Sequence, residues 1–155
     1  MALVTLLIGS KSDSDAVRPI LSTLERFGVS CTAIVCSAHR APERLHRVIK
    51  EAEASGTLVF ICGAGLAAAL PGATASHTTK PVIGLPLASG ALNGVDSLYS
   101  IVQMPPGVPV AGVGINGAAN AAYLAVQLIA LTDPALAERY ATFRKEQSDR
   151  VDTFE

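Results

Sequence analysis

Five short apolar runs, each closed by Gly, Pro or Ser and mostly followed by a stretch of helical spacing, constrain the fold of this chain more than any other feature. They are Leu3 to Ile8, Cys31 to Cys36, Leu58 to Cys62, Val82 to Leu85 and Val108 to Val113. Runs this short, with little polar alternation, suit strands covered on both faces of a parallel sheet. Between them, the segment from Asp15 to Phe27 carries Val17, Ile20, Leu21, Leu24 and Phe27 along one helical face, and Gly28 stops it. From Pro42 to Ala54, Leu45, Val48, Ile49 and Ala52 repeat the pattern, with proline in the first turn and an end at Gly56. Strand–helix alternation of this kind requires right-handed crossovers and predicts an α/β fold, a three-layer α/β/α sandwich around a central parallel sheet.

The C-terminal third continues the pattern. Ala118 to Leu131 is rich in Ala and Leu and reads as a helix buried on most sides. Asp133 as N-cap and Pro134 at the first helical position then open a more polar helix from Ala135 to about Val151. Leu136, Tyr140 and Phe143 form its apolar stripe, which can pack on its own domain or on a neighbour's. From Leu85 to Pro109 periodic signals are few and turn residues many, so a long, partly helical, functional loop is expected there.

A chain of 155 residues fits one domain, residues 1–155, without a linker. With 50% hydrophobic, 16% charged and 5% aromatic residues, the core must be built from Ala, Val, Leu and Ile. So little charge on so small a surface points either to apolar surface buried between subunits or to a well-packed, Ala-rich monomer, and the former is expected. Twelve basic against thirteen acidic residues, with no basic run, argue against nucleic acid as a partner. The opening MALVTLLIGSKSD lacks a basic leader and meets Gly, Ser and Asp almost at once, so it reads as the first strand and not as a signal peptide or a membrane span. Cys31, Cys36 and Cys62 are odd in number and have no CxxC spacing, which disfavours a disulfide framework or a zinc site and points to a reducing cytoplasm.

In such folds chemistry collects where strands hand over to helices. At the first corner, Gly9-Ser10-Lys11-Ser12-Asp13 sets the Ser10 and Ser12 hydroxyls and the Asp13 carboxylate at a helix N-terminus. That makes either an anion or sugar site or simple capping by Ser12 or Asp13. The run is neither a Walker P-loop nor a GxGxxG fingerprint. At the second corner, Ser37-Ala38-His39-Arg40-Ala41-Pro42 holds the only histidine on a strand-end rim, since His46 falls within the second helix and His77 near the end of the third. An imidazole exchanges protons near neutrality, a guanidinium holds phosphate bidentately, and Ser37 adds a neutral donor. Alone, His39 and Arg40 also fit a solvated loop; two polar corners adjacent in one sheet favour a site.

The third corner, Gly63 to Gly72, has no polar side-chain atom, so Gly63, Ala64, Gly65 and Ala68 offer backbone only. Such a loop either wraps a flat ring and presents amides or serves tight strand–helix packing. Ser89 to Gly94 is similarly open, a turn-rich run or a lid. There is no nucleophile elbow, no HExxH and no carboxylate cage, so metal catalysis is not expected.

Taken together, GSKSD at Gly9 to Asp13, SAHRAPERL at Ser37 to Leu45, GAGLAAALPG at Gly63 to Gly72 and ALNGVDSLYSIVQMPPGVPV at Ala91 to Val110 resemble the catalytic subunit of phosphoribosylaminoimidazole carboxylase, over nearly the whole chain and in order. In bacteria that family is the N5-carboxyaminoimidazole ribonucleotide mutase of purine biosynthesis. The resemblance implies a flavodoxin-like subunit in a homo-octamer whose C-terminal helices exchange contacts between subunits, needing neither cofactor nor metal. It implies that Ser10 and Asp13, with Ser12 beside them, bind a ribonucleotide, that Arg40 and Ser37 hold its phosphate, and that His39 shuttles the proton. The stretch from Gly63 to Ala69, with Gly63, Ala64, Gly65 and Ala68, lines the pocket for imidazole and carboxylate. The chain departs from the family's usual GAGGAAHLPG: Leu66 replaces a glycine, and Ala69 stands where a second histidine is common. Two further readings follow from that loss, a direct carboxylase of aminoimidazole ribonucleotide using free carbon dioxide and a non-catalytic nucleotide-binding paralogue.

Overall fold

In the computed structural model, which describes residues 2–151, the apolar runs form one five-stranded parallel sheet in the order β2-β1-β3-β4-β5. Its strands are β1 (Val4–Ile8), β2 (Cys31–Val35), β3 (Val59–Gly65), β4 (Val82–Leu87) and β5 (Ala111–Gly112). The helices are α1 (Ser14–Arg26), α2 (Pro42–Ala54), α3 (Ala69–Ala75), α4 (Val95–Val102), α5 (Ala118–Ala130) and α6 (Pro134–Val151). This strand order is that of the flavodoxin-like doubly wound sheet, and the expected three layers are present.

The period-two alternation of each strand divides the core between the layers. Val4, Leu6 and Ile8 of β1 face α1 and α5, meeting Val17, Ile20, Leu24 and a run of alanines from Ala118 to Ala125. Leu7 faces the other way, with Phe60 and Cys62 of β3, toward Leu45 and Ile49 of α2, Leu70 of α3 and Ile101 of α4. Small residues let the helices come close: a Cβ on Gly84 of β4 would overlap Ile101 Cγ2, so glycine is what allows α4 to lie against the sheet.

Several expectations shift. β2 is an edge strand, with Thr32 and Ala33 exposed, and is not covered on both faces. β3 runs on past Cys62 because Gly63, Ala64 and Gly65 pair with Leu85, Pro86 and Leu87 of β4. The expected strand from Val108 to Val113 shrinks to Ala111–Gly112, since Pro105, Pro106 and Pro109 cannot donate and Val108 turns back to the Pro105 carbonyl. The long loop between β4 and β5 contains α4, as its partly helical reading anticipates.

In α6, Asp133 Oδ1 accepts the Leu136 amide at 3.0 Å, the expected cap. Its apolar stripe is covered within the chain: Phe143 and Tyr140 pack against Phe27 at ring-centre distances of 5.5 and 5.8 Å, and Tyr123 stacks on Phe143 at 5.0 Å.

Candidate active site

The sheet register brings the strand ends level, with Ile8 opposite both Val35 and Gly63. β1 is where the connections reverse direction, one crossover passing to β2 and the next to β3, and crevices in doubly wound sheets open at that point. A cleft of about 500 Å³ lies there, lined by the first three strand-to-helix corners and by Ser89 beyond β4.

At the first corner, Ser10, Ser12 and Asp13 all line the cleft. The capping partner differs from expectation. Ser10 Oγ accepts the Ser12 amide at 3.3 Å and lies 2.8 Å from Ser12 Oγ, whereas the Asp13 side chain makes no capping bond. A tight 3-10 turn over Lys11–Asp13 precedes α1, and this turn sets Ser10 in the cap position. The Asp13 carboxylate is therefore not used up by helix amides.

The second corner is tied to the first through Arg40. Its backbone amide and its Nε both donate to Ser37 Oγ at 3.3 Å, and Nη2 approaches the Gly9 carbonyl at 3.5 Å. Arg44 donates to the Val35 carbonyl at 2.9 Å, fixing the start of α2 to the end of β2. His39 and Arg40 are exposed on the cleft rim, with Ser37 and Ala38 half-buried beneath them. Of the chain's 3 histidines, His39 alone lines the cleft. His46 and His77 stack on one another elsewhere, their rings 4.7 Å apart.

At the third corner Ala64, Gly65 and Ala68 line the cleft, as do Leu66 and Ala69. Gly63 does not: it sits one step down the strand, where a Cβ would lie 3.3 Å from Val17 Cγ1 and 3.5 Å from Ile8 Cγ2. Its glycine packs under α1, set back from the residues that line the cleft. After Gly65 the chain turns through Leu66 and Ala68 at φ of +54° and +33°. Left-handed backbone at residues with a Cβ costs about 1–2 kcal/mol each. Among the described residues the two others with a Cβ at positive φ are asparagines, Asn93 and Asn116, which tolerate that region far better. Strain unrelieved by residue type thus collects at the cleft.

Ser89 is the cleft residue that reading the sequence missed, other than as part of a possible lid. A Cβ on Gly65 would lie 2.6 Å from Ser89 Oγ, and one on Gly90 would lie 2.8 Å from Leu66 Cδ2, so the loop after β4 leans on the third corner. Its two ends are held: the Ala88 amide donates to Asn116 Oδ1 at 2.9 Å, and the buried Ser97 hydroxyl bonds the Gly94 carbonyl at 2.8 Å. The signal was present in the β3–β4 pairing, because matching Gly65 to Leu87 carries residue 89 to the same rim.

The cleft offers a fixed cation with hydroxyls around it, a carboxylate, an exposed imidazole and a third wall of backbone and small apolar groups. That set can hold an anion at one end, a flat ring at the other, and move a proton between them. Among the described residues no three His, Cys, Asp or Glu side chains converge as metal ligands. The cysteines are free, and burial pushes the thiols of Cys31 and Cys62 up to about 11 and about 12, far from thiolate formation at neutral pH.

The AIR carboxylase family matches residues 3–150 of the chain. The chain is similar to the N5-carboxyaminoimidazole ribonucleotide mutase of Pyrococcus abyssi, with 49% identity over 146 residues, 94% of this chain and 84% of that protein. It is 47% identical to the protein of the same name from Escherichia coli K12 over 152 residues, 97% of this chain and 90% of that one. Among solved structures, Treponema denticola PurE superposes with a TM-score of 0.89 at 30% identity, covering 97% of this chain and 94% of that one.

Proposed function

We infer that this chain, which belongs to the AIR carboxylase family, is an N5-carboxyaminoimidazole ribonucleotide mutase, an isomerase of purine biosynthesis. The observation that carries the reading is a single cleft in which the one available imidazole stands beside Arg40, Ser37, Ser10 and Asp13. Arg40, steadied by Ser37, takes the substrate phosphate; Ser10, Ser12 and Asp13 take the rest of the ribonucleotide. Ala64, Gly65 and Ala68 form the wall along the imidazole and its carboxylate.

The reaction moves a carboxylate from the exocyclic nitrogen of the aminoimidazole to ring carbon C4. When the carbamate N–C bond breaks, its electron pair stays with the nitrogen, which takes up a proton from His39, and carbon dioxide is freed. C4, an enamine-like nucleophile, then bonds the carbon of carbon dioxide and gives up its own proton. One proton is donated and one recovered, so a single group can do both, and His39 is that group. Holding the ring and carbon dioxide together in a small enclosed space supplies the remaining advantage.

We propose further that the chain works as a cytoplasmic homo-octamer, with its C-terminal helix contributing contacts to a neighbour. An exposed apolar stripe on and beside α4, formed by Leu92, Val95, Tyr99 and Val102, supports assembly. The free, buried thiols of Cys36 and Cys62 suit a reducing compartment, and a near-balanced charge suits a small-molecule partner over nucleic acid.

The deciding experiment supplies purified protein with N5-carboxyaminoimidazole ribonucleotide and no ATP. Formation of the C4-carboxylated isomer is expected. Turnover of only aminoimidazole ribonucleotide with bicarbonate would instead mean a direct carboxylase, and nucleotide binding without any turnover would mean a binding protein.

A further inference from the structure

We propose that Leu66 is a specificity-determining residue of this site: its side chain is the apolar wall that keeps carbon dioxide in, and water out, between cleavage of the carbamate and carboxylation of C4. The cleft lining contains two large apolar side chains, Leu66 and Leu70. Leu70 is 2% exposed and belongs to the core, while Leu66 is 55% exposed and is therefore the one presented to whatever fills the cleft. It is held at φ +54°, a conformation that glycine adopts freely and leucine does not. Its Cδ2 sits so close to Gly90 that a Cβ there would lie only 2.8 Å away, and Gly90 is itself at φ +65°. A strained leucine laid against a glycine of the facing loop joins the third corner to the segment 88–94. Burial in the core does not account for a leucine so exposed.

The chemistry gives that wall a task. Freed carbon dioxide is small, uncharged and poorly held by hydrogen bonds, and nothing polar at the third corner except backbone is available to retain it. If water enters or carbon dioxide leaves before C4 attacks, the products are aminoimidazole ribonucleotide and bicarbonate in place of the isomer. An apolar side chain over the gap disfavours both events. Leu66 thus acts on the partition between two products and not on proton transfer.

The test measures that partition with substrate labelled in its carboxyl carbon, in unlabelled bicarbonate buffer, with spontaneous decay subtracted. The readouts are label retained in the C4-carboxylated product and free aminoimidazole ribonucleotide formed. For Leu66→Gly and Leu66→Asn, both of which tolerate left-handed backbone, the ratio of lost to retained label is expected to rise about tenfold over wild type, the usual effect of deleting an apolar contact in a pocket. Leu66→Met, similar in volume and apolar, should stay near the wild-type ratio. An unchanged ratio in Leu66→Gly, or a wild-type ratio in Leu66→Asn, overturns the proposal. Because it rests on the mutase reading, the wild-type arm separates the two failures: labelled isomer from wild type upholds that reading whatever the variants do, and its absence sinks both.

Discussion

His39 stands on the cleft rim, exposed and outside the packed core, so its replacement separates chemistry from folding. His39→Asn is expected to slow isomerisation by about 100-fold to 10,000-fold, the range a lost general acid–base group costs, with substrate binding and thermal midpoint nearly unchanged. A variant with wild-type turnover would remove His39 from its role. Glycines at the same site should differ sharply from one another. At Gly65 a Cβ meets Ser89 Oγ at 2.6 Å and the Leu87 carbonyl at 3.2 Å, so Gly65→Ala should push the loop after β4 outward and lower kcat/KM by roughly 100-fold, the effect of a misplacement near 1 Å. Gly9 has nothing within 4 Å of where its Cβ would stand, and Gly9→Ala should leave the unfolding midpoint in urea unaltered. Equal destabilisation by the two substitutions would contradict the packing described for the third corner.

At the scale of elements, the outer connections are held by few contacts, each exposed to test. Glu53, near the end of α2, accepts the hydroxyl of Thr78 from the segment that follows α3 and also receives Lys50 Nζ at 3.1 Å. The Thr78 hydrogen bond, aided by Lys50, holds the Glu53 carboxyl below its ordinary 4.5. A lowered carboxyl stabilises the fold above its unfolded value, and that contribution is lost as pH falls through the lower folded value. Thr78→Val should therefore cost about 1 kcal/mol near neutral pH, and the gap from wild type should close on acidification through the carboxyl range in urea titrations. A gap independent of pH would assign the loss to packing instead. On α6, Phe143 is 7% exposed and meets Phe27, Tyr123 and Tyr140. Phe143→Ala should lose about 3 kcal/mol, with amide exchange in α6 rising before that of the sheet.

Over the whole molecule, an apolar stripe with Leu92 at 60% and Tyr99 at 61% exposure is costly to leave in water, and the proposed octamer would cover it. Tyr99→Glu should lower the mass measured by light scattering from eight times the 15.9 kDa chain toward smaller species, and an unchanged mass would free α4 from any role in assembly. The strand–helix alternation, the helix stops at Gly28 and Gly56, the Asp133 cap and the three polar or glycine-rich corners were all legible in the chain, because they depend on periodicity and on local backbone chemistry. Tertiary pairing decided what local rules cannot reach. Gly63 became sheet, since a strand continues as long as its neighbour offers partners, and β5 shortened where prolines withdrew their donors. Ser10 caps the 3-10 turn that precedes α1, while Asp13, at the α1 N-cap position, makes no side-chain capping bond. Ser89 and Gly90 joined the site from a distant loop, and Leu66 was forced left-handed to meet them, because which segments touch across a sheet is fixed by strand order and register, which only the folded chain possesses.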